Sequence, residues 1–154
     1  LNRRRKMAKI EAKLKEMGIE LTKRRIKSPW IVACKQAGNL IFVSGHGTDT
    51  LRGKLGRELT TEQGVEAARE VMISILASLK AYLDDLDKIK NIVKVLGMVN
   101  CTPDFVDQPA VINGASQLLV ELYGKEAGLH ARSAVGMNSL PGGIPVEIEM
   151  IVEI

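Results

Sequence analysis

Aromatic rings are scarce in this chain. One tryptophan, two tyrosines and two phenylalanines make up 3% of its 154 residues, too few to build the stacking platforms on which single-stranded nucleic acids are held. Cysteine is scarcer still. Cys34 and Cys101 cannot form a disulfide framework and are too isolated for a zinc site; both stand in strand-like runs and are expected as buried free thiols. No apolar run approaches the roughly 20 residues that span a bilayer, and the charged N-terminus lacks the apolar centre of a signal peptide. A cytoplasmic protein is expected. Glycine-rich phosphate cradles are missing too: Gly45-His46-Gly47 lacks the spacing of a dinucleotide or phosphate-loop fingerprint, and no helix follows Gly142-Gly143.

Excess charge is almost absent once its position is considered. The net charge is +4, and Arg3, Arg4, Arg5 and Lys6 account for all of it. The neutral body argues against nucleic acid as a partner. Met7 opens an amphipathic helical stretch that ends at Met17, so Met7 is expected as the natural start and residues 1–6 as a tag remnant or an upstream extension. With 45% hydrophobic and 26% charged residues, the composition is that of one globular domain.

What is present is a clear order of elements. Ile10, Leu14 and Met17 form the narrow apolar face of a first helix, with Gly18 as its stop. Ile31–Cys34 and Leu40–Ser44 read as strands joined by a two-residue turn at Gly38-Asn39. Thr60 and Gln63 have capping-box spacing, and apolar residues from Val65 to Leu79 recur at helical period up to about Leu83. Ile89 to Cys101 predicts a long strand, buried on both faces or bulged near Gly97. Asp107 to Pro109 start a second long helix whose stop is Gly124, and two strands close the chain.

The last two strands carry the chemistry. Arg132 opens one of them. Glu147 and Glu149 alternate with Val146, Ile148 and Met150 on the other, so both carboxylates share one face. A fixed guanidinium presents a planar fork that binds a carboxylate through two parallel hydrogen bonds, which suits a small acidic substrate. An Arg–Glu salt bridge at a sheet rim or subunit contact is the alternative use of the same residues.

The sequence also resembles the RidA/YjgF family of reactive-intermediate (enamine/imine) deaminases. The resemblance runs from about Pro29 to Ile154. It is carried by Gly38-Asn39 leading into Val43-Ser44-Gly45, by Asn113, and by three C-terminal motifs in order: Ala131-Arg132-Ser133-Ala134-Val135, Leu140-Pro141 and Val146-Glu147-Ile148-Glu149. Residues 1–28 then form an N-terminal extension and helix, and residues 29–154 the family-like domain, in a divergent branch. The resemblance implies an α+β, chorismate-mutase-like mixed sheet with two long helices packed on one face. It implies a homotrimer with ligand clefts between neighbours, and hydrolysis of 2-iminoacids to 2-ketoacids and ammonia without metal or organic cofactor. Arg132 would clamp the carboxylate of a small-molecule substrate, the Gly45 backbone would help hold it, Glu147 would position the attacking water, and Asn113 would lie near the cleft.

There are departures from the family pattern. A Gly-Pro-Tyr segment common in relatives reads Ser28-Pro29-Trp30, so Trp30 either reshapes the pocket or packs there. Ala134 stands where some relatives carry cysteine, and His46 replaces a more usual glutamine. His46 is expected as an exposed loop residue, and His130 as packing or solvated. Competing readings are a non-catalytic module that binds small carboxylates, a ribonuclease or translation inhibitor (labels some relatives carry), and a chorismate-mutase-like activity resting on fold analogy alone.

Overall fold

The computed structural model describes residues 8–22, 26 and 28–154; the basic stretch from Arg3 to Lys6, and Met7, lie outside them. Ile10 and Leu14 are the buried residues of the first helix, α1 (Lys9–Glu16), and Gly18 follows it at φ +70°. β1 (Cys34–Ala37) and β2 (Leu40–Gly47) pair antiparallel around Gly38-Asn39, with Gly38 at φ +60° as a two-residue hairpin requires. β1 therefore lies later than the apolar run Ile31–Cys34. The turn sets the register, pairing Ala37 with Leu40 and Cys34 with Val43, so the strand includes polar Lys35 and Gln36 and leaves Ile31 and Val32 exposed.

Thr60 caps α2 (Thr61–Leu83) through the reciprocal box: the Thr60 side chain accepts from the Gln63 amide, and the Gln63 side chain accepts from the Thr60 amide. The apolar stripe of α2 is core, with Val71, Met72, Ile75, Leu76 and Leu79 fully buried. Each such aliphatic side chain contributes on the order of 1.5–3 kcal/mol. A short 3-10 turn, Leu86–Lys88, leads to β3 (Asn91–Asn100). α3 (Gln108–Gly128) begins with Pro109 in its first turn and continues for one turn beyond Gly124, which interrupts it at φ +77°. β4 (Ala131–Met137) and β5 (Val146–Glu153) flank a second 3-10 turn, Pro141–Gly143.

The sheet order is β1-β2-β5-β3-β4. All neighbours are antiparallel except β3 and β4, whose parallel pairing follows from the α3 crossover between them. Val146, Ile148, Met150 and Val152 of β5 and Val95 and Val99 of β3 are buried on the helix side, where α2 and α3 pack together. The irregularity in β3 falls between Ile92 and Lys94, not near Gly97. Gly97 serves close packing instead: a Cβ there would stand 2.5 Å from Ile112 of α3. The opposite face, bearing Phe42, Leu96, Met98 and Val135 beside Glu147 and Glu149, carries neither long helix. None of the helices among the described residues is long and apolar enough to cross a membrane.

α1 is tied down by reciprocal caps. The Asp87 carboxylate accepts from the Lys9 and Ile10 amides at 2.7 and 2.8 Å, which gives α1 the N-cap its own Ala8 cannot supply. In return Glu11 accepts from the Leu86 amide at 3.0 Å and pairs with Lys80 of α2 at 2.8 Å.

Candidate functional site

Arg132 sits at the start of the edge strand β4, directly beside buried Val95 of β3 in the parallel register. Residues opposite one another across a ladder share a face, so Arg132 points to the helix side, where α3 meets it. Its NH1 donates to Asn113 Oδ1 at 2.8 Å and to Ser116 Oγ at 3.1 Å. Asn113 and Ser116 are three residues apart, one helical turn, and so present both acceptors on one face. Ser116 Oγ also lies 3.0 Å from His130 Nε2, and His130 Nδ1 lies 2.8 Å from the Gly128 carbonyl. These four side chains line a cavity of about 670 Å³ that Gln117, Val120, Glu121 and Leu129 complete. No carboxylate is bonded to Arg132 among the described residues, so the Arg–Glu salt bridge is not its use within this chain.

Glu147 lies elsewhere. It opposes Met98, and Glu149 opposes Leu96, both on the sheet face turned away from the helices. Within one chain the expected neighbourhood of Arg132 and Glu147 is therefore not formed. Glu147 instead covers Gly45: a Cβ on that residue would fall 2.2 Å from Glu147 Oε1. The β2–β5 register shifts between Val43 and His46, next to this contact. Burial pushes the Glu147 carboxyl above its ordinary value of 4.5, and the nearby charge of Glu149 adds to the rise. Trp30 is 89% exposed and lines a groove with Lys35, Phe42, Ser44 and Glu149, apart from Arg132. The five expected site residues thus form two groups: Arg132 with Asn113, and Glu147 with Gly45, with Trp30 in the groove beside Glu149.

One histidine departs from its expected setting. His46 is buried under α2 instead of exposed, with Nε2 2.7 Å from Ser78 Oγ and Nδ1 2.7 Å from the Ser44 carbonyl. Strand β2 runs on to Gly47, which carries His46 into the core where a loop was expected. His130 is half-buried and joined through Ser116 to Arg132. Burial lowers its pKa from the ordinary 6.5; the Gly128 carbonyl opposes this and the Arg132 charge adds to it. Ser116 was not singled out by sequence reasoning. Its spacing of one turn from Asn113, on the side that faces Arg132, is the signal that would have found it.

Cys34 and Cys101 are free and buried as expected, and burial pushes the Cys34 thiol up to about 11, where it is inert. Among the described residues one group, Glu11, Asp85 and Asp87, has ligand atoms within 4.8 Å of one another. Glu11 Oε1, Asp85 Oδ1 and both Asp87 oxygens already serve backbone amides and Lys80, while Glu11 Oε2 is buried without a hydrogen-bond partner among the described residues.

Comparison with known proteins places this geometry in a lineage. The family model described as "YjgF/chorismate mutase-like, putative endoribonuclease" matches residues 11–145. Protein TCP17 of Trypanosoma cruzi is 36% identical over 151 residues, which cover 95% of this chain and 94% of that protein. Protein Atu1372 of Agrobacterium tumefaciens, solved with its function unknown, is 41% identical with a TM-score of 0.86, covering 94% of this chain and 92% of its own. A "putative endoribonuclease" from Shewanella oneidensis MR-1 is 26% identical with a TM-score of 0.89, covering 94% and 99%.

Proposed function

This chain belongs to the YjgF/chorismate mutase-like family, and on that premise we propose that it hydrolyses reactive 2-iminoacids to 2-ketoacids and ammonia. The observation that carries the reading is the state of Arg132. Its guanidinium is held by neutral acceptors, has no carboxylate partner among the described residues, and opens on a cavity of about 670 Å³. A held, uncompensated cation of this kind is suited to a substrate carboxylate, and the fork gives that carboxylate one orientation. The second half of the site is the Gly45–Glu147 group. Because the two groups lie on opposite faces of one sheet, the reading places Arg132 of one copy against Glu147 of a neighbour, in a cleft of a homotrimer. The exposed apolar side chains Trp30, Ile31, Val32 and Phe42 are the surface such an assembly would cover.

The reaction needs orientation more than a strong nucleophile. Water adds to the electrophilic C=N carbon while Glu147, as carboxylate, accepts the water proton. Glu147 passes that proton to the imine nitrogen, which gives a carbinolamine. It then takes the carbinolamine hydroxyl proton and hands it to the amine nitrogen as the C=O bond forms and the C–N bond breaks. Ammonia leaves with both water protons, so protons and electrons balance without an oxidant. A raised carboxyl pKa suits this double duty, because the group exchanges a proton closer to neutrality. An endoribonuclease reading finds less support: His46 is buried against Ser78 and His130 lies in a separate network, so the chain's two histidines do not form an acid–base pair.

The test is to generate 2-iminopropionate in situ with a serine dehydratase and follow pyruvate release. Arg132→Ala should lower kcat/KM by at least about a hundredfold, since bonds to a charged group are worth about 1.5–3 kcal/mol each and the fork makes two. Arg132→Lys should fare nearly as badly, because an ammonium cannot reproduce the planar fork. Full activity in Arg132→Ala would refute the assignment. An unmutated protein that binds 2-ketoacids yet turns over no iminoacid would replace it with a carboxylate-binding module.

A further inference from the structure

We propose that Ser116 and His130 are positioning residues for Arg132: the histidine holds the serine hydroxyl, and the serine oxygen holds one arm of the guanidinium, leaving the rest of the fork for the substrate. This inference rests on the reading of Arg132 as a carboxylate clamp. The direction of every bond in the chain follows from which atoms can donate. The Gly128 carbonyl only accepts, so His130 Nδ1, 2.8 Å away, carries the ring proton. In the neutral ring Nε2 is then a lone pair, and the Ser116 hydroxyl donates to it across 3.0 Å. With its proton committed, Ser116 Oγ presents a lone pair to Arg132 NH1 at 3.1 Å.

Arg132 NH1 has two hydrogens, and both are used, one on Ser116 Oγ and one on Asn113 Oδ1 at 2.8 Å. Nε and NH2 donate to no group among the described residues. They form the adjacent edge of the guanidinium, the pair of donors that grips a carboxylate side-on. Without its two α3 acceptors, a long arginine side chain on an edge strand would sample many rotamers, and ordering it would draw on binding free energy. Burial of the imidazole supports the neutral tautomer that the relay requires. Protonated, His130 would offer two donors, and the Ser116 proton would lose its acceptor.

The experiment compares Ser116→Ala, His130→Leu and their double variant with the unmutated protein and with Arg132→Ala. KM and kcat are read for in-situ 2-iminopropionate, together with the dissociation constant for 2-oxobutanoate by calorimetry and the melting temperature. Each single variant should weaken 2-oxobutanoate binding and raise KM about tenfold, the worth of one bond to a charged group, with a much smaller change in kcat. Because His130 acts only through Ser116, the double variant should be no worse than Ser116→Ala alone, a non-additivity that independent structural roles do not produce. His130→Gln, whose amide oxygen can accept from the serine, and Ser116→Thr, which keeps the hydroxyl, should both recover to within about threefold. If Arg132→Ala abolishes binding while Ser116→Ala and His130→Leu bind and turn over as the unmutated protein does, the relay is wrong and the clamp stands. Additive losses in the double variant overturn the relay as well. If Arg132→Ala itself binds and reacts normally, the clamp fails and the relay with it.

Discussion

Gly114→Ala should destabilise this protein, although helix propensity alone predicts the reverse. Gly114 lies inside α3, where replacing glycine with alanine is worth about 1 kcal/mol in favour of the helix. In this fold the position faces the backbone of α2. An added Cβ would stand 2.1 Å from the Val65 carbonyl oxygen and 2.9 Å from its carbon, where a relaxed contact needs about 3.5 Å. A main-chain carbonyl cannot swing aside as a side-chain tip can, so the two helices must part by roughly 1 Å. Overpacking of this sort costs about 1–3 kcal/mol, and the absence of a mobile partner puts this site at the upper end. After the propensity gain, a net loss of about 1–2 kcal/mol remains. For a chain of this length that is a fall of roughly 2–8 °C in melting temperature. The same shift moves Asn113 and Ser116, so 2-oxobutanoate affinity should fall with stability. Thermal and urea melts with calorimetry of ligand binding make the test. A variant that melts higher than the parent, by about what propensity supplies, would show that α2 and α3 do not approach so closely in solution.

Other consequences follow from the same contacts. Because burial raises the folded Glu147 pKa above its ordinary 4.5 and the proposed base must be ionised, activity should be lost as pH falls through that raised pKa; Glu147→Gln should be inactive at every pH, and a rate limb at or below 4.5 would contradict the role. Asp87→Ala removes the acceptor for both the Lys9 and Ile10 amides and should cost about 1–2 kcal/mol, read as a lower melting temperature; an unchanged melt would mean that the cap is not needed. Sedimentation equilibrium should return three times the chain mass of 16.8 kDa, and a monomer at micromolar concentration would remove the proposed cleft.

Much of the fold was legible from sequence because it is local. The capping box at Thr60 and Gln63, the Gly38-Asn39 turn and the shared face of Glu147 and Glu149 depend on residues a few positions apart, and hydrogen bonding and period alone determine such features. The family motifs likewise pointed to Arg132, Glu147, Gly45 and Asn113 as single positions. Which of them meet was decided elsewhere. The α3 crossover makes β4 parallel to β3 and brings Arg132 beside Val95, while the antiparallel register sets Glu147 beside Met98; a shift of one residue in either ladder would have exchanged their faces. His46 was misplaced because its burial depends on Ser78, 32 residues away on α2. Ser116 went unnoticed because a serine on a helix acquires meaning only when a tertiary neighbour aims a guanidinium at it. Side-chain type and period are written along the chain, whereas strand register and helix packing are collective outcomes of burying the whole core, and they determine which chemically able residues share a cavity.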